Sequence, residues 1–201
     1  MRHLAPLLLL AGCLDRGGPD PDADPIVDDT DDLPDAMGLR LTAAELAADE
    51  ARSGEPPLAT PAEGAYAWEA MDRHAARFDP HREAHGETGL VRSACLDAIA
   101  RRWSLRMASG VCGDDPICHR GDGGASGLQL QVSRCWSWSA IGENVALNSS
   151  EAGAWIAFLD SPPHHANIDG PWNDGGSGRF GVGVFQRADG AVFVTQVFAR
   201  R

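Results

Sequence analysis

The chain has no lysine: all seventeen of its basic residues are arginine, a mark of genome composition. Nowhere do the arginines gather into a stripe, which argues against a nucleic-acid partner. No apolar run approaches the ~20 residues that a membrane-spanning helix needs. There is no C-x₂-C pair, so a cysteine zinc site is a weak reading. No G-x-S-x-G elbow surrounds Ser161, so that serine is not expected to be a nucleophile. The Asp-rich run lacks the D-x-D-x-D-G spacing and the downstream Glu of a calcium loop. No internal repeat is present.

What is present begins at the N-terminus. Arg2, the run Leu4 to Leu10 and then Ala11-Gly12-Cys13 read as an export signal. The stretch resembles a bacterial lipobox, which implies cleavage after residue 12 and lipidation of Cys13. The expected location is extracytoplasmic, lipid-anchored to a bacterial envelope. Leu14, not Asp, follows Cys13 and points to the outer membrane if the cell has one.

Residues 14–36 hold nine Asp and four Pro and show almost no apolar periodicity. Such a segment cannot bury enough apolar surface to offset its chain entropy. Residues 13–60 are therefore expected to be a disordered acidic tether that self-repels and extends. The formal charge of −12 sits mostly here: residues 1–60 carry 4 Arg against 13 acids, and residues 61–201 carry 13 against 16. Within the tether, Thr42 to Glu45 looks like a capping box for a short helix reaching Arg52. Residues 61–201 form one domain-sized unit.

Setting Cys13 aside leaves Cys95, Cys112, Cys118 and Cys135, an even set suited to two disulfides in an oxidising compartment. Three pairings are open. Cys112 with Cys118 closes a short loop, which favours that pair together with Cys95–Cys135.

Apolar spacing predicts helices over 65–78 and 96–107, the second capped by Ser93. Asp79 and Pro80 can open a helix through His85. Residues 109–134 read as a long loop. Ser149 or Ser150 can cap a helix over 151–159, followed by a short one over 162–168. A strand over 142–147 and a hairpin of 179–186 with 191–199 around Ala188-Asp189-Gly190 complete a mixed α+β domain with an antiparallel sheet.

Chemistry concentrates at three places: Cys118-His119-Arg120, the strand carboxylate Glu143, and His164-His165 at the start of a short helix. A buried strand carboxylate needs a partner, and imidazoles are natural ones. Two His and a Glu can hold a divalent metal or form a metal-free polar cluster. His81 and His85, at i and i+4, resemble half a metalloprotease motif. The Glu between them is displaced from H-E-x-x-H, so they are expected to form a solvated face. Trp103 and Met107 are expected in the core.

Gly142-Glu143-Asn144-Val145-Ala146, Ser161-Pro162-Pro163-His164-His165-Ala166-Asn167-Ile168, Gly181-Val182-Gly183-Val184 and Thr195-Gln196-Val197-Phe198-Ala199 follow in the order seen in the CAP superfamily. Those are the cysteine-rich secretory, antigen and pathogenesis-related proteins with their bacterial SCP-like relatives. The resemblance spans about 65–199. It implies a three-layer α/β/α sandwich with a central antiparallel sheet and a cleft. His119 matches the first cleft histidine, Glu143 the glutamate of GEN, and His164 the second histidine. His165 falls on the rim. Phe158 and Ser161 replace the Trp and second Glu of animal and plant members, which reduces the cleft to three residues. The resemblance also implies a Zn²⁺ or Ca²⁺ bound through His119 and His164, weakly if at all. The expected function is an envelope-anchored module binding a cell-wall, lipid or peptide ligand through His119, Glu143 and His164. The alternative is a metal-assisted, peptidase-like hydrolase in which Glu143 is the base and His119 and His164 position a metal or water.

Overall fold

A computed structural model describes residues 40–120, 127–172 and 178–200, and the backbone of 13–15. The export signal and residues 16–39 of the tether lie outside the described residues.

Strand β1 is Cys13–Asp15. Helix α1 (Ala43–Arg52) opens on the full Thr42/Glu45 capping box. Strand β2 is Gly64–Tyr66, followed by α2 (Trp68–Ala75) and α3 (Phe78–Ala84). Then come β3 (Val91–Arg92), α4 (Ala94–Ala108) and α5 (Leu128–Ser133). Strand β4 (Ala140–Asn148), α6 (Glu151–Asp160), α7 (Pro162–Ile168), β5 (Gly178–Arg187) and β6 (Val192–Arg200) complete the order. The sheet runs β1-β4-β6-β5-β2, antiparallel throughout, with the two-residue β3 parallel to β5.

Side chains alternate across a strand, so each long strand feeds two cores. Phe180, Val182, Val184, Val194 and Phe198 meet helices α2, α3 and α6 on one face. Ile141 and Val197 meet α4 and α5 on the other, and Val145, Phe185 and Phe193 meet the far end of α4. The result is the expected α/β/α sandwich. Gly181 and Gly183 let α4 lie directly on β5, since a Cβ at 183 would stand 2.2 Å from the Ala100 carbonyl carbon. The expected disulfides, Cys95–Cys135 and Cys112–Cys118, both form.

Four local expectations change. The helix expected over 65–78 shrinks to α2 (Trp68–Ala75) preceded by an edge strand, because Gly64–Tyr66 pairs with Phe185–Arg187. Asp79 does not cap α3 but accepts from the Leu90 backbone N–H at 3.2 Å. Helix α5 interrupts the loop expected over 109–134. Most consequential, residues 40–60 belong to the folded body, not to an extended tether. Asp49 meets Arg102 at 2.7 Å, and the buried Glu55 carboxylate pairs with Arg120 and lies 3.4 Å from Arg106 Nε. Those partners come from α4 and the segment after it, so the sequence around α1 cannot reveal them. Residues 13–15 likewise pair with the edge of β4.

Candidate functional site

Glu143 sits mid-strand in β4, buried, on the α4 face beside Ile141 and Val145. Its Oε1 accepts from the Arg120 backbone N–H at 2.8 Å and lies 3.1 Å from His119 Nδ1. The segment that brings these donors is fixed from several sides. The Arg120 guanidinium is fully buried, paired with Glu55, bonded to the Ile99 carbonyl at 2.7 Å and stacked 4.9 Å over the Trp103 ring. The Cys112–Cys118 disulfide closes the loop just before His119. Glu143 Oε2, also buried, has no hydrogen-bond partner.

His164 arrives on α7 by another route. Its carbonyl accepts from Asn144 Nδ2 at 3.0 Å, which pins α7 to β4. The ring is fully buried, with Nδ1 2.7 Å from Ser161 Oγ, while Nε2 has no partner. His164 therefore makes no hydrogen bond to Glu143; it lies near enough to His119 to feel its charge. The cleft is also less open than expected: of the three side chains only His119 is exposed, at 14%. Ser161, read from sequence only as a lost glutamate, is the residue that orients His164.

Burial first, and then the nearby His119, pull His164 down to about 4. In the unfolded chain it titrates near ~6.5. The unfolded state thus takes up a proton that the folded state refuses, so this stabilisation is complete above ~6.5 and is lost as pH falls toward 4. In chelator-containing buffer, wild-type stability relative to His164→Gln is expected to drop by roughly 1.4 kcal/mol per pH unit below ~6.5. Urea unfolding at pH 7 and 5 checks this; an unchanged difference contradicts a neutral buried ring.

A buried polar chain, whose residues carried no role in the sequence reading, runs between the helices and the sheet. Glu151 Oε1 accepts from His74 Nδ1 at 2.8 Å, and His74 Nε2 accepts from Gln196 at 2.7 Å. Gln196 Oε1 then accepts from Asn144 at 2.8 Å, and Asn144 Oδ1 from Asn167 at 2.8 Å. The chain links α6, α2, β6, β4 and α7, and so holds the helix bearing His164 in register. Burial holds the His74 pKa below the ordinary imidazole value, consistent with a neutral link in this chain.

The cleft trio does not form a compact donor set for a metal. Among the described residues, the group of His, Cys, Asp or Glu side chains with ligand atoms all within 4.8 Å of one another is His81, His85, His165 and Asp169. The expected solvated face on α3 and the expected rim histidine of α7 therefore meet. Neither helix alone shows the other half, since their sequences lie far apart in the chain.

No family model matches the sequence, and no curated protein matches it. Among solved structures, an outer surface protein from Borrelia burgdorferi aligns with a TM-score of 0.58 at 17% identity, over 69% of this chain and 98% of that one. An extracellular SCP-domain protein from Bacillus anthracis aligns with a TM-score of 0.55 at 21% identity, over 66% of this chain. This chain has an SCP-like fold. It spans 41% of the Bacillus protein's length. Within the SCP-like fold, the GEN and SPPHHANI segments fall on β4 and α7, and Asn144 and Asn167 from those segments bind each other.

Proposed function

We propose that this SCP-like domain is an extracytoplasmic binding module, held at a bacterial envelope by a lipidated Cys13, that takes a polar cell-wall fragment in the His119–Glu143–His164 cleft. One observation carries the reading: Glu143 Oε2 and His164 Nε2 are both buried and both lack a hydrogen-bond partner. A buried polar atom left unpaired costs ~1–3 kcal/mol, which a ligand can recover. A carboxylate oxygen that accepts and an imidazole nitrogen suit a hydroxyl or amide group, as on a glycan or its peptide, better than an acyl chain. Two disulfides fit an oxidising compartment.

Co-sedimentation with purified peptidoglycan and with anionic phospholipid vesicles tests it. Wild type is expected to pellet with peptidoglycan, and Glu143→Gln and His164→Ala to bind ~10-fold or more weakly. Binding to vesicles alone moves the ligand to lipid, and equal binding by the variants removes the cleft from recognition. Soluble fragments released by wild type but not by Glu143→Gln would establish the hydrolase reading. That reading is favoured by Glu143 holding one oxygen free beside the partly exposed His119. Its metal is not favoured, because the cleft donors do not converge.

A further inference from the structure

We propose that His81, His85, His165 and Asp169 form a second site, outside the cleft, for a divalent transition-metal ion, zinc by the chemistry of its donors, which clamps α3 to α7. The cluster consists of two i, i+4 pairs. His81 and His85 lie on one face of α3 and its C-cap, and His165 and Asp169 on one face of α7 and its C-cap. Residues at that spacing stand side by side on a helix. Packing of the two helix ends sets the pairs against each other.

Three imidazoles and one carboxylate supply four ligands and leave no position for water, the coordination number of a structural site. His81 Nε2 lies 3.0 Å from Asp169 Oδ1, and His165 Nε2 lies 3.1 Å from Asp169 Oδ2. Ligands around a tetrahedral zinc with bonds of ~2.0–2.1 Å stand ~3.3 Å apart. Those two spacings, one to each Asp169 oxygen, are near that value, and one ligand atom from each of the four residues lies within 4.8 Å of the others.

A single carboxylate does not by itself satisfy this group. His165 Nε2 is buried and has no hydrogen bond, because its approach to Asp169 misses the required geometry. The side chains are oriented from outside, as metal ligands usually are. His85 Nδ1–H donates to the His81 carbonyl at 2.9 Å, and the His81 ring packs edge-on 5.7 Å from Trp155. Arg82 is buried beneath them and donates to the carbonyls of Ile168 at 2.6 Å and Gly170 at 3.0 Å, on either side of Asp169. That grip fixes the α7 end against α3 before any ion arrives. His165 adjoins His164 on the same short helix, so a metal here would stiffen the element that presents the cleft imidazole.

The test uses the full chain, stripped with chelator and titrated with Zn²⁺ alone. Calorimetry and elemental analysis are expected to give one zinc per chain. At a hundredfold excess over Kd, the apparent Tm is expected to rise by ~5–10 °C. His81→Ala with His165→Ala, and separately Asp169→Asn, should lose that rise, each compared with its own metal-free Tm so that a change in intrinsic stability does not confuse the result. His119→Ala and His164→Ala should keep it. Zinc retained by the first set overturns the proposal, as does zinc lost by the cleft variants, which would place the ion in the cleft. Absence of binding at micromolar Zn²⁺ overturns it as well.

Discussion

Gly183→Val is expected to lose a large share of the protein's stability. A Cβ at this position would sit 2.2 Å from the Ala100 carbonyl carbon and 2.3 Å from its oxygen. Those are backbone atoms of α4 and cannot swing aside as a side-chain tip can. The helix would have to lift off β5 and withdraw Leu96, Ile99, Ala100 and Trp103, all buried on that side. Ordinary overpacking costs ~1–3 kcal/mol. Displacing a central helix belongs above that range, at about 4 kcal/mol or more, a large share of a typical ~5–15 kcal/mol total. Gly127→Ala is the control. Its new Cβ would meet only the Gln129 side-chain oxygen, 2.9 Å away on a flexible arm. Soluble yield and urea midpoints for both variants decide the matter; an unchanged midpoint for Gly183→Val would mean that α4 does not sit on the sheet as described.

The second large effect concerns Glu55. Its carboxylate is buried against the Arg120 and Arg106 guanidinia. Removing one member of a buried ion pair strands the other, at about 3–5 kcal/mol. Glu55→Ala should incur that loss, whereas Glu55→Leu with Arg120→Met should cost much less than the two single changes added together. Because the Arg120 backbone N–H and His119 both reach Glu143 from the same segment, the single variant should also weaken ligand binding. A chain starting at residue 61 should show the same instability, and one starting at residue 40 should not. Equal stability of the two truncations would return residues 40–60 to the tether.

These two cases also show what the sequence could reveal. Patterns with a local cause were legible: the Thr42/Glu45 cap, a serine cap of α6 at 149 or 150, the hairpin around Gly190, and the short loop that favoured the Cys112–Cys118 pair. The GEN and SPPHHANI segments and the Cys118-His119 step singled out Glu143, His164 and His119 as candidates, and the fold sets His119 3.1 Å from Glu143. Features that exist only after distant segments meet were not legible. Gly64–Tyr66 is a strand because Phe185–Arg187 offers an edge, not because of its own propensity. Glu55 looks like one more acid in an acidic run until Arg120 is placed beside it. His81, His85 and His165 each look dispensable alone, and they gather where α3 meets the end of α7, a contact that Arg82 bridges. The full burial of His164 also escaped, because it depends on distant contacts such as the Phe158 ring and the Asn144 bond to its backbone carbonyl.

The most direct measurement is imidazole nitrogen NMR on selectively labelled protein during titration with a soluble peptidoglycan fragment. The cleft account predicts that the His164 Nε2 and His119 resonances shift in saturable fashion with the same midpoint as binding, and that Glu143→Gln abolishes both. Saturable binding that leaves both rings unperturbed would contradict it.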